Sequence, residues 1–206
     1  MPVERSRAVM AKVGFDKQLT DDLRVRLTGS YRGQPTAVSN IIYSGDRGGS
    51  HYFYVMENSA ATEAANPYSG NINPGFSYRS RSFVVNPFIK YRGAEFFGMA
   101  ETASGRSASE ASLRTVHQYM AEGLYRFGSR DRLYVGGRWN SVQGNLGAAG
   151  SDVTVDRVNL GGGWFVTPTI MAKAEYVQQT YSNFVKTDIR NGGKFSGLVF
   201  EGVVSF

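Results

Sequence analysis

The chain has 206 residues, a net charge of +6 and no cysteine, so it can hold one or two domains but no disulfide framework or thiolate metal site. Glycine (25 residues) and aromatic residues (13 %) are abundant, and the sequence contains no apolar run of about 18 residues, which excludes a transmembrane helix. The first residues, Met1 to Arg5, are not followed by an apolar stretch and do not predict a secretory signal.

Apolar and polar residues alternate with a period of two along most of the chain, which predicts strands with two unlike faces. The first two predicted strands begin at Val9 and Leu23 and are joined by the polar turn 16–22. A stretch rich in glycine, serine, asparagine and alanine then breaks the alternation. A long irregular stretch of this kind is expected of a functional loop, so residues 33–77 are predicted to form a long extracellular loop.

Seven further alternating segments follow the long loop. They cover residues 82–91, 94–103, 118–127, 133–140, 157–164, 170–177 and 194–206. Each predicted strand is roughly ten residues long, whereas the mean strand of a soluble sheet has about 5–6 residues. Strands of about 9–11 residues are the length that a tilted membrane crossing requires.

Two kinds of all-β fold fit this alternation, a soluble sandwich or lipocalin-like barrel with apolar residues inside and a membrane barrel with apolar residues outside. The predicted connections alternate between short and long, as in transmembrane barrels, which have short turns on one side and longer loops on the other. Aromatic residues also gather near both ends of the strands, at Phe15, Tyr91, Phe127, Trp164 and Phe206 on one side and at Tyr31, Trp139 and Tyr176 on the other. The sequence therefore predicts an antiparallel up-and-down transmembrane β-barrel with about nine or ten long strands.

The predicted number of strands raises a question of parity. Bacterial single-chain barrels have an even number of strands, so both of their termini lie on the periplasmic side. Nine strands break this rule, so residues 1–206 are expected to be either a single barrel domain with a hidden strand or the C-terminal portion of a larger barrel.

Four segments of the chain resemble the C-terminal half of Gram-negative outer-membrane porins of the phosphate-selective and general diffusion type. They are A-E-F-F-G-M-A-E at 94–101, R-L-Y-V-G-G-R-W-N-S-V-Q-G at 132–144, G-G-G-W-F-V-T-P-T-I-M-A-K-A-E-Y-V at 161–177 and K-F-S-G-L-V-F-E-G-V-V-S-F at 194–206. This resemblance implies a channel in the outer membrane. It also implies that the terminal Phe206 is the aromatic signal for insertion by the barrel-assembly machinery.

If the polar faces of the strands line a lumen, twelve charged residues are candidates for the pore wall. They are Lys12, Arg24, Arg26, Lys90, Glu95, Glu122, Arg126, Arg138, Arg157, Lys173, Glu175 and Glu201. Basic residues outnumber acidic ones in this set, and rings of arginine and lysine favour anions or phosphate. The alternative is that cross-strand ion pairs only stiffen the wall, for example Arg138 or Arg157 with Glu122 or Glu175.

The long loop could fold into the pore and constrict it, with Arg47 as the candidate constriction residue, or it could remain an exposed lid. The two histidines, His51 and His117, have no recognisable partner spacing, and the chain contains no G-x-S-x-G motif, so the sequence predicts no enzyme. No metal, no cofactor and no nucleic acid are expected, because no ligand cluster, phosphate loop or stacking motif is present.

The function predicted from the sequence is a passive outer-membrane channel for small hydrophilic solutes, with anions among the candidates. The expected partners are outer-membrane lipid, the solutes, and either a homotrimer or a larger membrane assembly. A structural barrel or anchor within a larger outer-membrane assembly is a second hypothesis. A soluble β-barrel binding protein is a third.

Overall fold

The computed structural model of the protein describes residues 6–42, 56–57, 59, 62, 70–147 and 152–206. In these residues nine strands form one antiparallel sheet in which each strand lies beside its neighbours in the chain. The strands are β1 (Val9–Gln18), β2 (Leu23–Gln34), β3 (Arg79–Tyr91), β4 (Ala94–Arg106), β5 (Arg114–Phe127), β6 (Leu133–Asn145), β7 (Asp152–Thr167), β8 (Ile170–Ser182) and β9 (Lys194–Val204).

The order of the strands confirms the predicted all-β, antiparallel up-and-down fold. The strands have 10 to 16 residues, which is long enough to cross a membrane at a tilt. At one end of the sheet the connections are short and contain residues with positive φ, such as Arg92 (φ 52°) and Gly128 (φ 82°). At the other end they are longer, over residues 35–78, 107–113, 146–151 and 183–193. No helix in the described residues is long and apolar enough to span a membrane.

Several strands extend further than their alternation predicted, mostly towards the long loops. The range 104–106 belongs to β4, 114–117 to β5 and 143–145 to β6, and at the other end 16–18 belongs to β1 rather than to a turn. These residues pair in register although most of them are polar. The alternation of apolar and polar residues stops near the ends of these strands, whereas the backbone ladder continues, so the apolar pattern marks only the central part of each strand.

One face of the sheet, called here the outer face, carries large apolar side chains that remain exposed. They include Val13, Phe15, Leu27, Tyr31, Phe83, Ile89, Tyr91, Phe96, Tyr125, Val135, Trp139, Leu160, Trp164, Tyr176, Leu198 and Phe200. An apolar surface that spans all nine strands is far larger than the patches that soluble monomers expose. The exposed band is what a membrane barrel presents to lipid, and it argues against the soluble-barrel hypothesis.

The opposite face, called here the inner face, is polar over most of its area. Near the long-loop end, however, it carries a small apolar core, and residues 70–76 fold back onto this core. We call residues 70–76 the strap. Its Ile72 and Phe76 are fully buried against the inner-face residues Val116, Val142 and Tyr181.

An outer-face charge at mid-strand should disrupt folding into a bilayer much more than an inner-face charge does. Leu160→Arg places a cation on the outer face, where Leu160 is 56 % exposed between Gly137 and Tyr176. We expect a loss of about 2–4 kcal/mol in the free energy of unfolding, measured by denaturant titration in lipid vesicles. Leu124→Arg is the matched control on the inner face, and equal losses for the two variants would contradict the assignment of the faces.

Candidate functional site

The inner face brings together opposite charges that stand directly across from one another on adjacent strands. Lys90 is opposite Glu95, and their charged atoms, Nζ and Oε1, are 3.5 Å apart. Arg126 reaches the same carboxylate from β5, with Nε 3.1 Å from Oε1 of Glu95. One glutamate of β4 is therefore held between a lysine of β3 and an arginine of β5.

The same arrangement continues towards β9. Arg138 is directly opposite Glu122 and donates from Nε to Oε2 at 2.6 Å. Lys173 lies 3.5 Å from both Glu175 and Glu201, the second of which is its direct cross-strand partner. The ion pair predicted between Arg138 and Glu122 is thus present in the structure.

Arg157 departs from the predicted pairing with Glu122 or Glu175. The register places it between Asn140 and Gln179, and its Nε donates to Oε1 of Gln179 at 2.6 Å. The carboxylate of Glu175 is instead bound by Asn159, whose Nδ2 donates to Oε1 at 2.6 Å. Sequence reasoning missed Asn159 because an uncharged amide gives no signal in a search for charge pairs.

The inner face therefore has two electrostatically different parts. From β3 to β9 the four cations and four carboxylates of the paired network balance. On β1 and β2 the inner face carries three cations, Lys12, Arg24 and Arg26, and one carboxylate, that of Asp16, which accepts two hydrogen bonds from Arg24. Among the described residues, no carboxylate pairs with Lys12 or Arg26, and the guanidinium of Arg26 lies over the ring of Phe88 at 4.9 Å.

A recess of about 330 Å³ opens on the inner face between β5 and β8. Its floor is formed where Gly136 and Gly161 stand directly opposite each other and leave the wall without side chains. A Cβ atom at Gly161 would lie 2.8 Å from the carbonyl oxygen of Ala174, so close strand packing requires glycine there. The floor is surrounded by one aromatic and four charged side chains, those of Tyr134, Arg126, Arg138, Lys173 and Glu175.

The strap is held by side chains of the barrel wall as well as by its apolar contacts. The hydroxyl of Tyr181 donates to the carbonyl of Gly70 at 2.6 Å. Arg114 donates to the carbonyl of Pro74 at 2.8 Å. The described end of the long loop therefore covers the inner face near the long-loop rim.

Arg190, in the loop before β9, links the strap to an acidic side chain. It donates to the carbonyl of Asn71 at 3.2 Å and to both carboxylate oxygens of Asp188, at 2.9 and 2.8 Å. The hydrogen bond from Arg190 holds the pKa of Asp188 below its usual value, and this effect outweighs burial, which acts in the opposite direction.

The remaining predicted residues are placed as follows. Arg47, the predicted constriction residue, and His51 lie outside the described residues. His117 is on the outer face, and its Nδ1 is 3.0 Å from the hydroxyl of Thr102. Phe206 follows the end of β9 and is fully exposed, and its role as an insertion signal stays a prediction. Within the described residues, no group of three or more His, Asp or Glu side chains could hold a metal ion.

Comparison with solved structures identifies the fold. The chain is similar to OmpT of Vibrio cholerae, an outer membrane protein, in an in-vitro folded trimer form, with 12 % sequence identity and a TM-score of 0.53 over 95 % of this chain and 54 % of that chain. It is also similar to outer-membrane expressed OmpT of the same organism, with 13 % identity and a TM-score of 0.52 over 96 % of this chain and 55 % of that one. The chain thus spans about half the length of the solved structures that it matches.

At this level of identity the similarity shows the fold alone. It confirms the predicted transmembrane β-barrel class, and the matched structures are outer-membrane proteins, in agreement with the predicted location. No protein-family model matches the chain, and no curated protein matches it either.

The comparisons also correct the prediction that the chain is not an enzyme. That prediction was drawn from missing motifs, whereas the match to OmpT is to a barrel fold that enzymes and non-enzymes share. The exclusion of catalysis from the sequence was therefore wrong, because catalytic groups on a barrel rim need not follow the spacing of any short sequence motif.

The Asp188–Arg190 pair should make attachment of the strap depend on pH. The pKa of Asp188 is lower in the folded protein than in the unfolded chain. The stabilisation that its charged carboxylate gives to the folded protein is therefore complete above the unfolded pKa of about 3.9. The contribution is lost as the pH falls through the lower, folded value. We expect Asp188→Asn to increase hydrogen exchange of the strap at pH 7, and the difference from wild type to shrink below about pH 4.

Asp21→Asn, at the opposite rim, is the control for this measurement and should leave hydrogen exchange of the strap unchanged at both pH values. A difference between Asp188→Asn and wild type that persists undiminished in acid would contradict the role of the carboxylate charge.

Proposed function

We propose that the nine strands form part of the wall of an outer-membrane channel through which small hydrophilic solutes, anions included, pass by diffusion. The observation that carries this proposal is the contrast between the two faces. The outer face is an exposed apolar band, whereas the inner face presents groups of charged and amide side chains that pair across adjacent strands. A polar interior behind a lipid-facing band is the arrangement of water-filled barrels.

We further propose that the wall belongs to the C-terminal half of a porin-like barrel. The two outermost strands support this, since in the described residues β1 pairs only with β2 and β9 pairs only with β8. Unpaired backbone groups are costly in hydrocarbon, so both edges need partners in the membrane. With nine antiparallel strands, β1 and β9 run in the same direction, so antiparallel closure requires an odd number of additional strands.

The strap supports a narrowed path in this channel. Ile72 and Phe76 replace polar lining with a packed apolar cluster near the long-loop rim, and Tyr181 and Arg114 fasten the backbone of the strap to the wall. A fixed strap of this kind limits the size of the solutes that enter. The trimer form of OmpT supports a homotrimer of the complete barrel as the functional assembly.

A structural role within a larger outer-membrane assembly is the second candidate, and the open edges of β1 and β9 favour it. Conductance across planar lipid bilayers separates the two. Stepwise, ohmic current increases on insertion are expected for the channel. Stable insertion without any current would contradict the channel and leave the structural role.

The uncompensated cations on β1 and β2 should make the channel prefer anions. A surface potential of one kT changes the local ion concentration about threefold, so Lys12→Glu with Arg26→Glu should lower the anion-to-cation permeability ratio by at least about threefold. The measurement is the reversal potential under a salt gradient.

Lys17→Glu with Arg130→Glu makes the same change of net charge away from the inner face, on the outer face and in a short turn. This control should leave the reversal potential close to that of wild type. An equal shift in both double variants would show that overall charge, not the inner face, sets the selectivity.

A further inference from the structure

Three arginines lie exposed at the long-loop end of the outer face, on the side of the sheet formed by β1 to β3. In β3, Arg79 and Arg81 alternate with the buried Ser80 and are followed on the same face by the exposed Phe83. The exposure pattern of the strand therefore places both guanidinium groups on the face that carries the apolar band, immediately beyond its edge.

The third arginine, Arg7, is placed by the continuation of the ladder before β1. The backbone N–H of Ser6 donates to the carbonyl of Thr36 at 3.2 Å, in the same register that pairs Val9 with Gly33. In this register Arg7 is opposite Pro35. The next pair on the same face is Val9 with Gly33, and Gly33 is in turn opposite Arg81 of β3. Arg7 is exposed, so the three cations form one patch, called here the arginine patch.

No carboxylate of the described residues forms an ion pair with Arg7, Arg79 or Arg81. At the same end of the outer face, β7 instead carries the carboxylates Asp152 and Asp156. The positive charge is therefore concentrated over β1 to β4, since Arg106 of β4 is opposite Arg79, and it is not a general property of this rim. Three exposed arginines that have no ion-pair partner among the described residues are available to an anion from outside the chain.

The patch lies directly beside aromatic side chains of the apolar band. Tyr31 and Phe83 are opposite each other on β2 and β3, one step closer to the middle of the strands than Arg81. Tyr31, Arg79, Arg81 and Val9 line a shallow cleft of about 200 Å³. Aromatic rings at this position mark the boundary between hydrocarbon and headgroups, so the guanidinium groups stand at the level of lipid headgroups.

We propose that the arginine patch binds the phosphate groups of an anionic membrane lipid on the long-loop side of the bilayer. Guanidinium groups bind phosphate oxygens through paired N–H donors, and the cleft beside Tyr31 and Val9 can accommodate the upper part of an acyl chain. The apolar side chains of the cleft are next to the guanidinium groups, and a lipid is the class of ligand that can contact both, with its acyl chain and its phosphate. The site is independent of any channel through the inner face.

The test is native mass spectrometry of the full chain folded in detergent micelles, with lipid A carrying two phosphates as the probe. Arg79→Glu with Arg81→Glu should weaken lipid A retention about tenfold or more, because each cation near a charged lipid surface contributes substantially to binding. Retention by the wild type should also fall as salt is raised. Arg79→Lys with Arg81→Lys keeps the charge and should retain most of the binding, which guards against a folding defect.

Lys12→Glu with Arg26→Glu is the matched control, since it reverses two charges on the inner face and should leave lipid A retention unchanged. Equal retention by wild type and by Arg79→Glu with Arg81→Glu would overturn the proposal. So would equal retention of phosphatidylcholine and lipid A by the wild type, which would show binding to the apolar band alone. Complete displacement of lipid A by millimolar inorganic phosphate would indicate a site for free anions and would also overturn it.

Discussion

Backbone hydrogen bonding in a medium without water is the constraint on which the rest of this structure depends. A strand in hydrocarbon must pair its N–H and C=O groups with neighbouring strands, and all nine strands join one antiparallel sheet in which each strand pairs with its neighbours in the chain. The ladder fixes the register, and the register assigns each residue to one face or the other. The apolar band, the inner charge network and the arginine patch all follow from that assignment.

The ladder also determines how charge is distributed on the inner face. Opposite charges stand directly across from each other at Lys90–Glu95, Glu122–Arg138 and Lys173–Glu201, which makes the network compact and nearly neutral. The excess of cations is confined to β1 and β2. The net charge of the sequence does not say where on the wall the excess cations lie. In the structure they lie on β1 and β2, so the proposed preference for anions would arise on that side of the wall.

The sequence predicted what depends on alternation and failed where alternation ends. The two-residue turn between Tyr91 and Ala94 sets the Lys90–Glu95 pairing, so that part of the site could be predicted from the chain. The strap could not, because the burial of Ile72 and Phe76 depends on contacts with strands far along the chain. The ends of the strands were missed because mostly polar residues there break the alternation but keep the backbone hydrogen bonds.

The central claim is that the apolar face meets lipid, and fluorescence of the two tryptophans tests it most directly. Trp139 and Trp164 are both on the outer face, 43 % and 52 % exposed, near opposite edges of the band. In vesicles of brominated lipids both should be quenched, more strongly by bromines near the headgroups than by bromines at the bilayer centre, and aqueous iodide should have little effect. Quenching by iodide without quenching by brominated lipid would contradict the account.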